Sequence, residues 1–320
     1  MALTQVDQGL LSSTAQYTGF KNRIINGGFG IWQRGTSGTS VAAGAYGPDR
    51  WRVAGGNALT LTQSTTFGSP NSLLIQANAT NHAIGQRIES KNIQDLAGQT
   101  VTLSYKIRAD NPGTHVLLMY YANAADNFSA EVNFVNTAKS YTSNTVTTIT
   151  HTLTLPANAA NGLNIVFQWY NGGAAINITA FIWDVQLEAG STATSFDYRP
   201  HGTELALCQR YCFALISNGS NSSSFIGAWR PAVSGVEIGI PFPVTMRSSP
   251  SGSVPAGNNS WGLSDGLNPY TGTPTTHAAS PYSIILRIPA STPTFASGYA
   301  TIALMYAAAG SVCLLASAEL

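Results

Sequence analysis

The sequence predicts an all-β protein: a jelly-roll-like β-sandwich, a short linking helix and a second, smaller β-sandwich. Three observations carry that expectation. Stretches such as residues 101–108 alternate apolar and polar side chains with period two, as half-buried strands do. Runs of Gly, Asn, Pro and Ser separate these stretches at short intervals, which is the pattern of a sandwich and not of βαβ units. The 320 residues are 44% apolar and only 9% charged, against roughly 25% charged in ordinary soluble domains. A chain of this length can bury a sizeable core and favours two domains, with Ser, Thr, Asn and Gly supplying its surface.

Residues 1–21 hold isolated apolar residues without a sustained period, so they read either as a flexible tail or as a segment that docks onto another protein. The first sandwich is placed at residues 22–200. Within it Val101, Leu103, Tyr105 and Ile107 share one face of a strand, and Leu163, Ile165, Phe167 and Trp169 share a face of another. A third strand is expected to turn Phe181, Trp183, Val185 and Leu187 inward and Asp184, Gln186 and Glu188 outward. Such half-polar strands suit an antiparallel sheet with one wet face. Residues 201–213 form the linking helix: Leu205, Cys208 and Cys212 recur at helical spacing, Pro200 and Gly202 stop the preceding strand, and Thr203 can cap the new element. Residues 214–320 make the second sandwich, with strand-like runs at 236–240, 283–288, 300–306 and 312–320. From 213 to 320 the charged side chains are Arg230, Glu237, Arg247, Asp265, Arg287 and Glu319 alone. Depletion of ionised groups is what surface shared with identical copies shows.

Composition also narrows function. A formal net charge of +1 gives no field to attract nucleic acid or an anionic membrane. The first ten residues lack a basic start and an apolar run, so no secretory signal is read there, and no apolar stretch approaches the roughly 20 residues that span a bilayer. Three cysteines cannot all pair, and no second Cys/His pair stands at metal-ligand spacing. No Gly-x-Ser-x-Gly, His-Glu-x-x-His or Gly-rich phosphate loop is present, so the chain is not expected to be an enzyme.

Several short motifs follow one another in a recognisable order: Ile25-Asn-Gly-Gly-Phe-Gly-Ile-Trp-Gln-Arg-Gly, Tyr46-Gly-Pro-Asp-Arg-Trp, Gln86-Arg-Ile-Glu, Leu96-Ala-Gly-Gln-Thr-Val-Thr-Leu-Ser and Val185-Gln-Leu-Glu-Ala-Gly. Over residues 22–213 the set resembles the carbohydrate-binding-module-like domain of tailed-bacteriophage fibre and decoration proteins. Phe242-Pro-Val-Thr-Met-Arg resembles the start of a domain often placed after the helix. The resemblance implies a virion structural protein, usually a homotrimer, with a jelly roll related to family 4 and 9 carbohydrate-binding modules. It implies a trimeric tail fibre that contacts host-surface glycans and docks to another virion protein through its N-terminal segment, assembled in the host cytoplasm. The alternative is a capsid decoration protein or head fibre with an architectural role.

Candidate sites follow from residue type and setting. Trp32, Trp51 and Trp183 lie in the framing motifs and read as core. Arg34 and Arg50 read as partners of backbone carbonyls, Asp49 or Glu89. Aromatics in turn-rich surroundings are better suited to stack on a sugar ring: Tyr120 and Tyr121 before a polar loop, Tyr170 before Asn171-Gly-Gly, and Trp261 and Tyr270 among Asn, Gly, Ser and Asp. Loop packing or subunit contact is the competing role for each. Sandwich modules of this type commonly hold a structural calcium, and Asn26 with Asp184 are the positions that would match it.

Overall fold

A computed structural model describes residues 20–35, 37–68, 71–79, 82–170, 176–217, 226–232, 235–254, 261–264, 269–272, 274–289, 300–305 and 312–320. The chain is all-β with a single α-helix among these residues, and its contacts divide it into two units. One comprises the described residues up to Gly30, Thr36–Pro200 and Leu320; the other comprises Ile31–Gly35 and His201–Glu319.

The first unit is built from eleven strands: β1 (Thr39–Val41), β2 (Arg52–Val53), β3 (Leu59–Ser64), β4 (Ser72–Ala79), β5 (His82–Ile88), β6 (Thr100–Ala109), β7 (Gly113–Ala124), β8 (Asn127–Tyr141), β9 (Thr147–Thr154), β10 (Leu163–Tyr170) and β11 (Ile176–Ala189). They form two antiparallel sheets, a six-stranded one in the order β1-β3-β4-β11-β6-β9 and a five-stranded one in the order β2-β5-β10-β7-β8. The apolar faces meet in one core centred on Trp51, which is fully buried. Its ring lies 4.8 Å from Phe29 and 5.8 Å from Phe167, and its indole N–H donates to the Asn26 carbonyl at 2.9 Å. Leu163, Ile165, Phe167 and Trp169 of β10 all face this core, as their alternation predicts.

The third expected strand differs. The register of β11 against β6 shifts between Trp183 and Gln186. Asp184 takes a left-handed backbone there, with φ of 52°, which Asp tolerates better than most residues. Before the bulge, Ile182 pairs with the buried Ile107, and Phe181 and Trp183 pair with Arg108 and Lys106 on the opposite face. Beyond it Leu187 returns to the core face opposite Leu103. An inserted residue reverses side-chain alternation, so Phe181 and Trp183 leave the sandwich interior. They are covered instead by Phe67, stacked on Trp183 at 5.2 Å and edge-on to Phe181 at 4.8 Å.

The segment ahead of β1 closes the unit. The Asn22 amide donates to the Val185 carbonyl at 3.0 Å, and its oxygen accepts from the Ile24 and Leu187 N–H groups. Gln86 both accepts from the Ile25 N–H at 2.9 Å and donates to the Ile25 carbonyl at 2.8 Å. A Cβ on Gly27 would stand 2.2 Å from the Val185 carbonyl oxygen, so only glycine allows this approach.

The second unit opens with the helix α1 (His201–Gln209) and continues through β12 (Cys212–Ile216), β13 (Ile226–Ala232), β14 (Gly235–Pro241), β15 (Ser251–Ser253), β16 (Trp261–Ser264), β17 (Pro269–Gly272), β18 (Thr275–Ala279), β19 (Ser283–Pro289), β20 (Ala300–Met305) and β21 (Val312–Ser317). A three-stranded sheet, β12-β21-β15, and a seven-stranded sheet, β17-β16-β20-β13-β14-β19-β18, make it up. Phe213, Ile238, Trp261, Leu286, Cys313 and Leu314 belong to its core. All three cysteines are buried.

Candidate functional site

Register places each sequence-derived candidate. Tyr120 and Tyr121 point to opposite faces of the five-stranded sheet: Tyr120 pairs with Asn164, and Tyr121 with the core residue Leu163. Tyr121 is therefore removed from the face that Tyr120 occupies, and packs 6.0 Å from Phe134. Trp261 is a strand residue, fully buried, with its indole N–H on the Cys313 carbonyl at 3.1 Å. It packs the second core and is closed to a sugar; its polar sequence neighbours disguised a strand. Tyr170 ends β10 and Tyr270 lies in β17, and their side chains lie outside the described residues.

Asn26 and Asp184 direct their polar groups to protein partners. The Asn26 amide donates to the Asp49 carbonyl at 2.9 Å. The Asp184 carboxylate accepts from Lys106 Nζ at 2.8 Å and from the Tyr198 hydroxyl at 3.5 Å. An ammonium thus stands where a cation would bind. Among the described residues no group of three or more His, Cys, Asp or Glu side chains could hold a metal. Arg34 pairs with Glu319 at 3.1 Å, and Arg50 donates to the Arg87 carbonyl.

The outer face of the five-stranded sheet carries the densest set of polar groups. Across it, Arg52 of β2 adjoins Gly85 of β5, Val166 of β10 and Leu118 of β7. The next row holds Arg87, Asn164 and Tyr120, with Asn133 of β8 beside Tyr120. Gln168 and Val116 extend the other side. From β2 to β7 are three strand spacings, about 14 Å, room for an oligosaccharide. Gly85 keeps the floor low beside Arg52, since a Cβ there would meet the Ile165 carbonyl at 2.9 Å and the Val166 side chain at 3.2 Å.

Some of these groups hold one another. Arg87 pairs with Glu131 at 3.0 Å, lies 4.9 Å over the Phe128 ring and donates to a main-chain oxygen of Leu320 at 2.9 Å. The Tyr46 hydroxyl donates to the same Leu320 oxygen at 2.9 Å. The Asn164 amide donates to the second Glu131 oxygen at 2.9 Å. Others have no hydrogen-bond partner among the described residues: the buried Oδ1 of Asn164, the Tyr120 hydroxyl, and Arg52, whose Nε is buried. Burial, then the nearby Arg87, lowers the Arg52 pKa. Burial, then Glu131, raises that of Tyr120. Unpartnered donors and acceptors above Val166, Leu118 and Val116 form a surface with an apolar floor and a few polar groups that orient a ligand.

Of this constellation the sequence pointed to Tyr120 alone. Arg52, Arg87, Glu131 and Asn164 come from four strands and meet only through register. Their one sequence signal is the polar positions Asn164 and Gln168 alternating with the core face of β10.

No family model and no curated protein matches the chain. Solved structures similar to part of it include a family 4 carbohydrate-binding module, 21% identical, covering 52% of this chain and 98% of that chain with a TM-score of 0.35. A xylan-binding family 22 domain from Paenibacillus barcinonensis is 18% identical over 44% of this chain and 92% of its own, with a TM-score of 0.34. A family 61 module solved with β-1,4-galactotriose is 14% identical over 53% and 99%, with a TM-score of 0.33.

Proposed function

We propose that the first unit binds a glycan along the outer face of its five-stranded sheet and does no chemistry on it. The observation that supports this is the convergence of the unpartnered Tyr120 hydroxyl and Arg52 over the apolar floor of Val166 and Leu118. A pyranose lays its C–H face on Tyr120 and such a floor, while its hydroxyls meet the Tyr120 hydroxyl and the guanidinium. A glycan array probed with the full chain tests the reading. Tyr120→Ala and Arg52→Ala are expected to weaken binding about tenfold or more with the fold intact. Undiminished binding in both variants would place the sugar elsewhere.

The setting we propose is a virion. Its support is the ordered motif set, which resembles that of phage fibre and decoration proteins. In that setting the chain is a homotrimer that docks through residues 1–21 to another virion protein after assembly in the host cytoplasm. Weak binding per site, repeated on many copies, gives strong attachment without new contacts. Labelled antibody on whole particles separates a tail fibre from a capsid decoration protein, and sedimentation of the purified chain tests the trimer.

A further inference from the structure

We infer that the sugar recognised on this face carries a carboxylate and that Arg52 receives it. The inference rests on the glycan reading of the site and deepens it. Arg52 and Arg87 are the two cations of the described face, and their situations differ. Arg87 has a counter-charge: Glu131 neutralises it at 3.0 Å, and its terminal nitrogens also donate to main-chain oxygens of Leu320 and Phe128, while its buried Nε has no partner among the described residues. Glu131 is matched in turn, one oxygen on Arg87 and the other on Asn164. Tyr46, the other titratable group beside Arg52, gives its hydroxyl to Leu320.

Arg52 has no such counter-charge among the described residues. It makes no hydrogen bond and no ion pair among the described residues, and its half-buried side chain has one nitrogen sealed from solvent. Glu131 is near enough to act on its charge yet forms no ion pair with it. A guanidinium removed from water without a counter-charge is costly. The hydroxyls of a neutral sugar satisfy its N–H groups but not its charge. A carboxylate does both, because its two oxygens match the planar fork of an arginine.

The test uses the full chain and titration calorimetry with oligogalacturonate, hyaluronan hexasaccharide and sialyllactose, each beside its own methyl ester, and with a sulfated oligosaccharide. The expected result is an acid that binds about tenfold tighter than its ester, the size of one charge-assisted contact, with the difference shrinking as salt rises. Arg52→Gln should erase the difference between acid and ester, with an unchanged melting temperature showing that the fold survives. Arg52→Lys, which keeps the charge and loses the fork, should recover only part of it. If neutral sugars and esters bind as tightly as acids, or if only the sulfated probe binds, the carboxylate inference is overturned and the glycan reading stands. If no carbohydrate binds at all, the glycan reading itself fails.

Discussion

Acidification should loosen the first unit through one buried ring. His115 is fully buried, faces the core from β7, and neither of its ring nitrogens has a partner among the described residues. Its neighbours are rings: Trp169 at 4.8 Å, Tyr105 at 5.2 Å and Phe167 at 6.1 Å. Burial, with a smaller push from His151, lowers its pKa from 6.5 to about 3. His151, hydrogen-bonded to the Tyr105 hydroxyl at 3.2 Å, is lowered to about 4 by burial and then by Lys139. A depressed histidine pKa means that the unfolded chain binds the proton first. The stability is therefore intact above pH 6.5 and is lost as pH falls toward the folded value.

At pH 4.5 the unfolded His115 has gained about two pH units of proton binding that the folded ring refuses, a loss of about 3 kcal/mol. His115→Phe isolates this contribution. Phenylalanine keeps the ring contacts and removes both unpartnered nitrogens, so stability at pH 7.5 should stay within about 1 kcal/mol of the parent. Urea unfolding at pH 7.5 and 4.5, followed by tryptophan fluorescence, gives the acid loss for each protein. Every other acid-sensitive group is common to both, so the variant should lose about 3 kcal/mol less. An equal acid loss in the two proteins, or a His115 resonance titrating near pH 6.5 in the folded parent, would refute the reasoning.

Gly27→Ala drives a Cβ against the Val185 carbonyl and should cost more than about 2 kcal/mol, read as a fall in the denaturant midpoint. Trp261→Phe keeps the core aromatic and loses the bond to the Cys313 carbonyl; about 1 kcal/mol of destabilisation is expected, with glycan binding unchanged. Asp184→Asn breaks a pair whose lysine side chain is 42% exposed, so the change should stay under about 1 kcal/mol. Because that carboxylate already holds an ammonium, a chelator should leave the melting temperature of the parent where it was; a marked drop would reinstate a metal.

What could be read from the sequence was whatever period and spacing encode. The strand at 163–170 alternates without interruption, and the structure returns it with the same bounds and inner face. The strand through Trp183 misled because a single bulge at Asp184 reverses the alternation, and nothing in the local pattern marks where a register shifts. Trp261 misled for another reason: Asn, Gly and Ser around it resemble a loop, while its burial is decided by partners at residues 272, 305 and 313. The binding face was the least legible part, since Arg52, Glu131 and Asn164 are separated by dozens of residues and adjoin only when five strands pair.

The motif residues and the segment that leads into them hold the first unit together. Asn22 and Gln86 stitch the entering segment to β11 through both donor and acceptor atoms, Gly27 permits the approach, and Trp51 fills the centre of the core. Glu188 holds the following turn by accepting from the Thr194 N–H and hydroxyl. Removing any one of these leaves a buried polar group unpaired or a cavity, each costing a few kcal/mol, so they report the architecture. Of the quoted motif residues Arg87 reaches the binding face, and it is neutralised there. Arg52 and Tyr120, the unpartnered groups of the proposed site, lie outside the motifs. Two chains sharing every motif can thus share a sandwich and bind different sugars, and substitutions at residues 52 and 120 should change the sugar while leaving the melting temperature close to that of the parent.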